Sequence, residues 1–240
     1  HNGHAWQLAQ AKALGAERVA VAMSCSLVQR GALPLLPEAV RTRSALTCGA
    51  DLVFALPAPC ACAGAEAFAR AGVALLAAAG CDGLVFGAET PDAALLMEAA
   101  ELLDSGSYRA ALKAQLAGGA RSFAAARQAA AAKLASDERV AALLDKPNNN
   151  LAVEYCRAIR SLAPRMEAYP LPRQGANHGE ALHSAHGQFA SASALRKLWA
   201  EGGADAVAPY VPEAVFPLYQ EAYAAGQYTD FSAAGRTTPV

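Results

Sequence analysis

Short apolar runs alternate with stretches of helical periodicity in this chain, and this alternation restricts its fold more than any other feature of the sequence. Residues 18–23, 51–56 and 83–86 are short and apolar throughout, which predicts buried parallel strands. The neighbouring stretches predict four helices, over residues 5–14, 37–48, 64–79 and 92–103. Such alternation builds βαβ units, so we expect an α/β fold with an open parallel sheet and ligands at the carboxyl ends of its strands.

The remainder of the chain predicts further helices and one more strand. Gly49 and Gly80 follow helical stretches and predict where those helices end. Residues 108–144 are alanine-rich, which indicates helix propensity and close packing. Three asparagines at 148–150 predict the N-cap of a helix over residues 151–162. The other predicted elements are a strand at 166–171, helices at 191–200 and 212–225, and a frayed tail at 231–240.

Composition excludes several classes of protein. Apolar residues make up 54% of the 240 residues and charged residues 17%, which supports a sizeable core and excludes a disordered chain. The sequence shows neither an apolar run long enough for a membrane span nor a signal peptide, so we expect a cytoplasmic protein without membrane contact. The net charge of −1 argues against a chain that coats nucleic acid without specificity.

The cysteines predict neither a disulfide scaffold nor a metal site. The six cysteines are too sparse for a scaffold and include no Cys-x-x-Cys. Cys60 and Cys62 have no second pair of ligands at metal-binding spacing. We therefore expect free, buried thiols.

His1-Asn2-Gly3-His4 opens the chain, and a predicted helix follows it directly. The start of a helix presents backbone N–H groups and the positive end of its dipole to an anion. Gly3 would let the backbone approach that anion closely, and the two imidazoles could donate hydrogen bonds to phosphate oxygens. Taken alone, these residues leave two interpretations open: a nucleoside-triphosphate site, or a tag remnant or surface histidine pair.

Polar residues and glycines follow the predicted strands at the edge where ligands bind. Gln29 and Arg30, in the loop after residues 18–23, predict a substrate-side contact; a salt bridge from Arg30 to Glu38 is the alternative. Gly87 follows the strand at 83–86 and would admit an adenine or a ribose, unless it is a simple turn glycine. Arg173, just after the strand at 166–171, predicts a phosphate clamp.

A second group of anion-binding residues occurs late in the chain. Ser191, Ser193 and Arg196 place two hydroxyls and a guanidinium at a helix start, which suits a polyphosphate. The alternative is a serine N-cap with a surface arginine. Between Lys146 and Lys197, seven basic residues stand against three acidic ones, which indicates either an anion-binding face or a solvated one.

Other catalytic and metal-binding patterns are absent from the sequence. It contains no Gly-x-x-x-x-Gly-Lys-Ser/Thr, no Gly-x-Ser-x-Gly and no His-Glu-x-x-His. His178, His183 and His186 are close in sequence, but their spacing fits no standard metal motif and indicates an exposed loop. No resident metal is expected.

In this order, the motifs resemble those of the HxGH nucleotidyltransferase superfamily and, within it, the tRNA(Met) cytidine acetate ligases. The superfamily signature is His-x-Gly-His at the first helix and a late Ser-Ser-Thr-x-x-Arg-like segment, here residues 191–196. The resemblance covers about residues 1–200 and runs collinearly through further segments, at 28–31, 49–53, 56–57, 65–69, 84–89, 122–127, 147–155 and 173–176.

The resemblance implies a Rossmann-like parallel sheet of the HxGH nucleotidyltransferase type, followed by C-terminal helices. Residues 1–200 would form the ATP-binding domain, whose first strand is missing before His1, and residues 201–240 the start of a truncated helical region. Such enzymes use ATP to activate acetate as acetyl-adenylate and then acetylate N4 of the wobble cytidine of elongator tRNA(Met).

The resemblance also implies a set of site residues. His1 and His4 would be catalytic and would stabilise charge at the α-phosphate as pyrophosphate leaves, while Mg²⁺ would accompany the triphosphate. The ATP-binding residues would be His1, Asn2, Gly3, His4, Gly87, Asn148 and Arg173, with Ser191, Ser193 and Arg196 as phosphate contacts.

Departures from the family pattern concern acetate selection and tRNA contact more than ATP binding. They occur at residues 177–180 and at 25–26, just before the segment that contains Gln29 and Arg30. Two other functions stay open at this point. One is a small-molecule adenylyltransferase of the same superfamily, and the other is an inactive nucleotide-binding module.

Overall fold

The computed structural model describes residues 1–28, 32–120, 122–173, 181–184 and 187–231. Its helices are α1 (Asn2–Ala13), α2 (Glu38–Thr47), α3 (Ala58–Ala61), α4 (Ala65–Ala78), α5 (Ala93–Asp104), α6 (Gly106–Ala117), α7 (Phe123–Leu134), α8 (Glu138–Leu143), α9 (Pro147–Leu162), α10 (Ala192–Val207) and α11 (Phe216–Ala224). Its strands are β1 (Ala20–Ser24), β2 (Leu52–Leu56), β3 (Gly83–Ala88), β4 (Glu167–Pro172), β5 (Ala181–Ser184) and β6 (Gly187–Ala190). The chain divides into two compact units, one made of residues 1–62 and 174–240 and the other of residues 63–173.

The first unit contains a parallel strand pair and an antiparallel hairpin. β1 and β2 pair in parallel, with Ala20 opposite Leu52 and Ser24 opposite Leu56. β5 and β6 form the hairpin, and β6 contacts α1. Its core contains residues from α2, α10 and α11 and from the segments beside them, including Leu36, Val40, Leu195, Trp199, Val207, Val211, Val215 and Ala222.

Asp51 ties α1 to the strand pair of the first unit. Its carboxylate accepts a hydrogen bond from the Val19 N–H at 2.8 Å and pairs with Lys12 Nζ at 2.9 Å and with Arg18 Nη1 at 3.0 Å. The Val19 hydrogen bond, followed by those from Lys12 and Arg18, holds the pKa of Asp51 well below its ordinary value. The helix that carries the histidine motif is thereby fixed to the start of β2.

The second unit packs helices against another parallel pair. β3 and β4 run parallel, with Gly83 opposite Glu167 and Ala88 opposite Pro172. α9 packs against α4, α5 and β3. Fully buried apolar side chains of this unit include Val73, Leu96, Leu143, Val153 and Ile159.

The structure confirms the predicted α/β class and the predicted strands within a few residues. Gly49 and Gly80 end α2 and α4 as predicted, with φ of 98° and 83°. At both helix ends, the N–H of the glycine and the N–H of the following residue donate to carbonyls of the last helical turn. This arrangement requires a positive φ, which costs free energy for a residue that has a Cβ. The β5–β6 hairpin was not predicted.

One helix prediction is confirmed and another is wrong in detail. The alanine-rich stretch at 108–144 is helical as predicted and forms α6, α7 and α8, because Gly118 and Gly119 end the first while Ser122 and Asp137 cap the next two. The asparagines at 148–150 lie inside the first turn of α9 instead of before it. That helix starts at Pro147, whose missing N–H costs nothing at the first helical position.

Other outcomes concern the C-terminal part and the cysteines. α10 runs past residue 200 and is interrupted at Gly202 and Gly203, while the domain boundary at residue 200 stays a prediction. α11 begins at Phe216, later than predicted, and of the tail at 231–240 only Phe231 is among the described residues. All six cysteines are unpaired as predicted, but only Cys156 is buried. Across the described residues, no helix is both long and apolar enough to cross a membrane.

Candidate functional site

The histidine motif forms the N-cap and first turn of α1, and does not lie ahead of the helix as predicted. α1 begins at Asn2, with His1 as its N-cap residue, so the predicted start at residue 5 is wrong. The His1 carbonyl accepts hydrogen bonds from the His4 N–H at 3.0 Å and the Ala5 N–H at 3.2 Å. No side chain caps this helix start, and its positive end is next to both imidazoles.

The two histidine rings stack on each other over the first turn of α1. Their centroids are 4.0 Å apart and the ring planes make an angle of 23°. A Cβ at Gly3 would lie 3.1 Å from His1 Cε1 and 3.2 Å from His1 Nδ1, closer than ordinary van der Waals contact. The glycine therefore provides the space in which the His1 ring stacks on His4, in addition to the backbone access that was predicted for it.

The His4 imidazole favours its neutral form. Desolvation by neighbouring protein atoms lowers the pKa of His4 below its ordinary value, although the residue as a whole is exposed to solvent, which limits the size of the effect. A neutral imidazole offers one N–H donor and one acceptor nitrogen. An arriving anion would favour the protonated form, so the His4 ring is suited to respond to phosphate.

Strand β6 connects the histidine motif to the segment at 191–196. Phe189 of β6 is buried, and its Cδ1 would lie 3.8 Å from a Cβ at Gly3. Ser191 follows two residues later, so its Cα is at most about 7 Å from that of Phe189. On the other side of the motif, Asn2 Nδ2 donates to the Pro209 carbonyl at 3.1 Å. The starts of α1 and α10 are thereby neighbours within one unit.

Ser191 is the N-cap of α10, as the alternative interpretation of this segment predicted. Its Oγ accepts a hydrogen bond from the Ala194 N–H at 3.2 Å and lies 2.9 Å from Ser193 Oγ. The Arg196 guanidinium lies over the Phe231 ring, 5.4 Å from its centroid. The hydrogen bond between the two hydroxyls uses the hydrogen of one and leaves the other available to donate, so phosphate contact by this segment stays a prediction.

Gly87 and Arg173 lie together at the carboxyl ends of β3 and β4, in the second unit. The Arg173 N–H donates to the Ala88 carbonyl at 3.3 Å, and Arg173 Cγ would be 3.6 Å from a Cβ at Gly87. Arg173 is exposed. This pair therefore lies where ligands of parallel sheets bind, with a flat surface at the glycine and an accessible guanidinium beside it.

Asn148 is held by a residue that the sequence analysis did not select. Glu89, just after β3, accepts hydrogen bonds from Asn148 N at 3.2 Å, Asn148 Nδ2 at 2.6 Å and Asn149 N at 2.6 Å. The carboxylate thus binds the first turn of α9, where the helix dipole favours negative charge. Buried Asn149 makes two hydrogen bonds with Thr90. Its Nδ2 donates to Thr90 Oγ1, and its Oδ1 accepts from the backbone N–H of Thr90.

Gln29 and Arg30 lie outside the described residues, and their substrate-side role stays a prediction. The loop that leads to them is anchored by Arg41 of α2, which the sequence analysis missed. Arg41 donates to the carbonyls of Leu36 at 3.0 Å and Ser24 at 2.7 Å and also to that of Cys25. Its only sequence signal is a basic residue on a helix, which does not distinguish it from a surface arginine.

Three of the seven basic residues between 146 and 197 lie within 4 Å of a carboxylate in the structure. Arg157 contacts the carboxylates of Glu154 and Asp104 at 2.7 and 2.8 Å. Arg160 lies 3.6 Å from Glu101. Lys197 lies 3.9 Å from Glu201. An excess of basic residues in the sequence is thus not by itself an anion-binding face, because carboxylates of the same helix and of α5 compensate part of it.

Histidines at 178 and 186 lie outside the described residues, and His183 falls within β5. Among the residues that the structure describes, no group of three or more His, Cys, Asp or Glu side chains could hold a metal ion.

Comparisons with known proteins find a family and relatives that are similar to most of this chain. A family model described as HIGH Nucleotidyl Transferase matches residues 1–236. A curated tRNA(Met) cytidine acetate ligase from Syntrophotalea carbinolica is 40% identical over 205 residues, which make up 84% of this chain and 48% of that relative.

Solved structures are also similar to this chain. Thermotoga maritima TmcAL in its apo form I has a TM-score of 0.87 at 30% identity, covering 95% of this chain and 55% of that one. The same protein bound with alpha-thio ATP has a TM-score of 0.84 at 29% identity, covering 95% and 54%. These matches confirm the predicted resemblance and the predicted fold class. The chain spans about half the length of the curated relatives it matches.

Proposed function

The chain belongs to the HIGH nucleotidyl transferase family, and on that premise we propose that it takes part in ATP-dependent acetylation of tRNA. In the proposed reaction it activates acetate as acetyl-adenylate and acetylates N4 of the wobble cytidine of elongator tRNA(Met), a reaction of the cytoplasm. The observation that carries the proposal is the stacked histidine pair at the uncapped start of α1. The identity to curated tRNA(Met) cytidine acetate ligases and the likeness to a TmcAL bound with alpha-thio ATP support it.

The first step would be attack of an acetate oxygen on the α-phosphorus of ATP. The bond from that phosphorus to the bridging oxygen breaks, and pyrophosphate leaves with the electron pair. His1, His4 and the start of α1 would stabilise the negative charge that develops on the phosphate oxygens. Their contribution is charge stabilisation and positioning, without a covalent enzyme intermediate.

The second step would transfer the acetyl group. The N4 amine of the cytidine attacks the carbonyl carbon of acetyl-adenylate, AMP leaves, and the amine loses a proton. Mg²⁺ would arrive with the triphosphate as part of the substrate. We assign ATP contact to Asn2, Gly3, Gly87, Asn148 and Arg173, phosphate contact to Ser191, Ser193 and Arg196, and the substrate side to Gln29 and Arg30.

The decisive experiment is ATP–pyrophosphate exchange with acetate, followed by transfer of labelled acetate to an elongator tRNA(Met) transcript. The proposal predicts exchange that requires acetate and stable label in the RNA. Exchange that requires a phosphorylated small molecule instead of acetate would indicate an adenylyltransferase. Binding of ATP without exchange would indicate an inactive nucleotide-binding module.

Two substitutions test the assigned residues. His4→Ala should abolish exchange with little change in the thermal unfolding midpoint, because His4 is an exposed residue of the first helical turn. Arg173→Ala should weaken ATP binding by about 1.5–3 kcal/mol, the value of a hydrogen bond to a charged group. Arg165→Ala is the matched control, since Arg165 is also exposed in the same unit. Equal affinity in both arginine variants would remove Arg173 from the site.

A further inference from the structure

Residues 105–136 carry five basic side chains and no acidic one, in a chain whose net charge is −1. This segment forms α6 and α7, which pack against each other as a helical hairpin. The uneven charge that the sequence analysis located at residues 146–197 is compensated in part by carboxylates. The hairpin α6–α7 has no acidic residue of its own for such compensation.

One of the five basic residues is mostly buried and forms an ion pair. Arg127 is 17% exposed and its Nη2 lies 2.5 Å from Glu154 Oε1. Arg109, Lys113 and Lys133 are exposed, and in the described part of the chain none of these three has a carboxylate within 4.0 Å. Three positive charges on the hairpin therefore face solvent.

Two of the exposed cations lie on one side of α6, away from its buried residue Tyr108. Arg109, Lys113 and Leu116 follow the spacing that places side chains on one side of a helix. The inner face is formed by buried residues of both helices, namely Tyr108, Ala126, Ala130 and Ala131. The outer face is otherwise rich in alanine, whose small side chain lets a polymer backbone approach closely.

The connection between the two helices exposes large apolar side chains on the same hairpin as these cations. Phe123, the first residue of α7, is 60% exposed, and Leu116 near the end of α6 is 46% exposed. An exposed aromatic ring beside cations is the combination with which proteins bind single-stranded nucleic acid: the cations contact phosphates and the ring stacks on a base.

We propose that the exposed side chains of α6–α7, namely Arg109, Lys113, Leu116, Phe123 and Lys133, form a docking surface for RNA. The three cations contact backbone phosphates, and Phe123 stacks on an unpaired base. The identity of that RNA as elongator tRNA(Met) rests on the proposed function. An anionic membrane is a poorer fit, because α6 and α7 are only weakly amphipathic, whereas a helix that lies in a membrane surface needs one strongly apolar face.

The test uses the full chain and a fluorescently labelled elongator tRNA(Met) transcript, with binding followed by anisotropy over a range of salt concentrations. The double variant Arg109→Gln/Lys113→Gln should bind about tenfold or more weakly near 0.1 M salt, and the slope of log affinity against log salt should become shallower by about one to two. Phe123→Leu should weaken binding about fivefold or more.

The matched control is Arg18→Gln/Arg43→Gln, which removes two exposed cations from the other unit. Both of these cations have carboxylate partners, Asp51 at 3.0 Å and Glu221 at 3.7 Å. We expect less than a twofold loss of RNA affinity in this control. Equal losses in the two double variants, or unchanged binding in the hairpin variant, would overturn the docking surface. The docking surface would also be overturned if vesicles of anionic phospholipid bound the wild type but not the hairpin variant, while RNA bound both proteins equally well.

Acetate-dependent pyrophosphate exchange, measured on the same proteins, separates the surface from the proposed function. The hairpin variant should exchange like the wild type, because the surface contacts RNA and not ATP. A chain that exchanges but binds RNA independently of the hairpin keeps its proposed function and loses this surface. A chain that binds RNA through the hairpin but lacks exchange keeps the surface and loses the proposed reaction.

Discussion

Replacing Glu154 by glutamine tests how the second unit is held together. Glu154 is 2% exposed, and its carboxylate lies 2.5 Å from Arg127 Nη2 and 2.7 Å from Arg157 Nη1. Glutamine keeps the shape of the side chain but removes the charge, which leaves two half-buried guanidinium groups facing an amide. Removing one partner of a buried ion pair costs about 3–5 kcal/mol.

The expected loss lies at the lower end of that range. Arg157 is 23% exposed and keeps Asp104 at 2.8 Å, so it stays partly compensated without Glu154. Arg127 has no such second carboxylate among the described residues, so most of the penalty comes from it. We therefore expect the free energy of unfolding to fall by about 3 kcal/mol, a large share of the 5–15 kcal/mol of an ordinary domain.

Urea unfolding at pH 7 provides the measurement. Far-UV circular dichroism follows the helices, while Trp6 and Trp199 both belong to the other unit, so tryptophan fluorescence is an internal reference. Adding Arg127→Met to Glu154→Gln should recover about 1–2 kcal/mol, because it removes the unpaired charge.

The control for this variant is Glu101→Gln. Glu101 is 71% exposed and 3.6 Å from Arg160, so its loss should cost no more than about 0.5 kcal/mol. Our reasoning is refuted if Glu154→Gln also costs less than about 1 kcal/mol, or if the added Arg127→Met destabilises the protein further.

Three further predictions concern the site and its supports. Gly3→Ala should reduce the kcat of exchange about tenfold to a hundredfold by displacing the first histidine ring, with little change in Tm, since the added Cβ meets only the end of a flexible side chain; Gly106→Ala, which meets no atom within 4 Å, is the control. Asp51→Asn should lower Tm at pH 7 and converge with the wild type toward pH 2. The pKa of Asp51 is held below its ordinary 3.8 by a backbone N–H and two basic side chains, so its stabilisation is complete above that pH and is lost as the pH falls below it; a difference that stays constant from pH 7 to pH 2 would contradict this. Glu89→Gln should lower the free energy of unfolding by about 1–2 kcal/mol and raise the KM for ATP, because Asn148 loses its charged partner; lost stability with an unchanged KM would place Asn148 outside the nucleotide site.

Much of the fold could be predicted because its signals are local. The strands at β1, β2 and β3 are short apolar runs, and the glycines at 49 and 80 end their helices by their own conformational freedom. The division of residues 108–144 into three helices was harder to predict, since alanine favours helix throughout and the breaks depend on two glycines and two capping side chains.

The supports of the site could not be predicted, because they depend on contacts between residues far apart in sequence. Glu89 and Asn148 are 59 residues apart, and nothing in either segment indicates that a carboxylate will bind the start of α9. Arg41 likewise shows its role only through the carbonyls it reaches in the structure. The role of Gly3 combines both kinds of information, since the motif identifies the glycine and the structure shows which ring it accommodates.

The carboxylate of Glu89 has a consequence for what the start of α9 can bind. The start of α9 already holds an internal anion, so a phosphate placed there would be repelled by it. In the proposed function, Asn148 would therefore contact an uncharged part of the nucleotide, such as a ribose hydroxyl or an adenine amine that donates to its Oδ1. The start of α1, by contrast, has no side-chain cap and no acidic residue in its first turn, which suits it to an incoming anion.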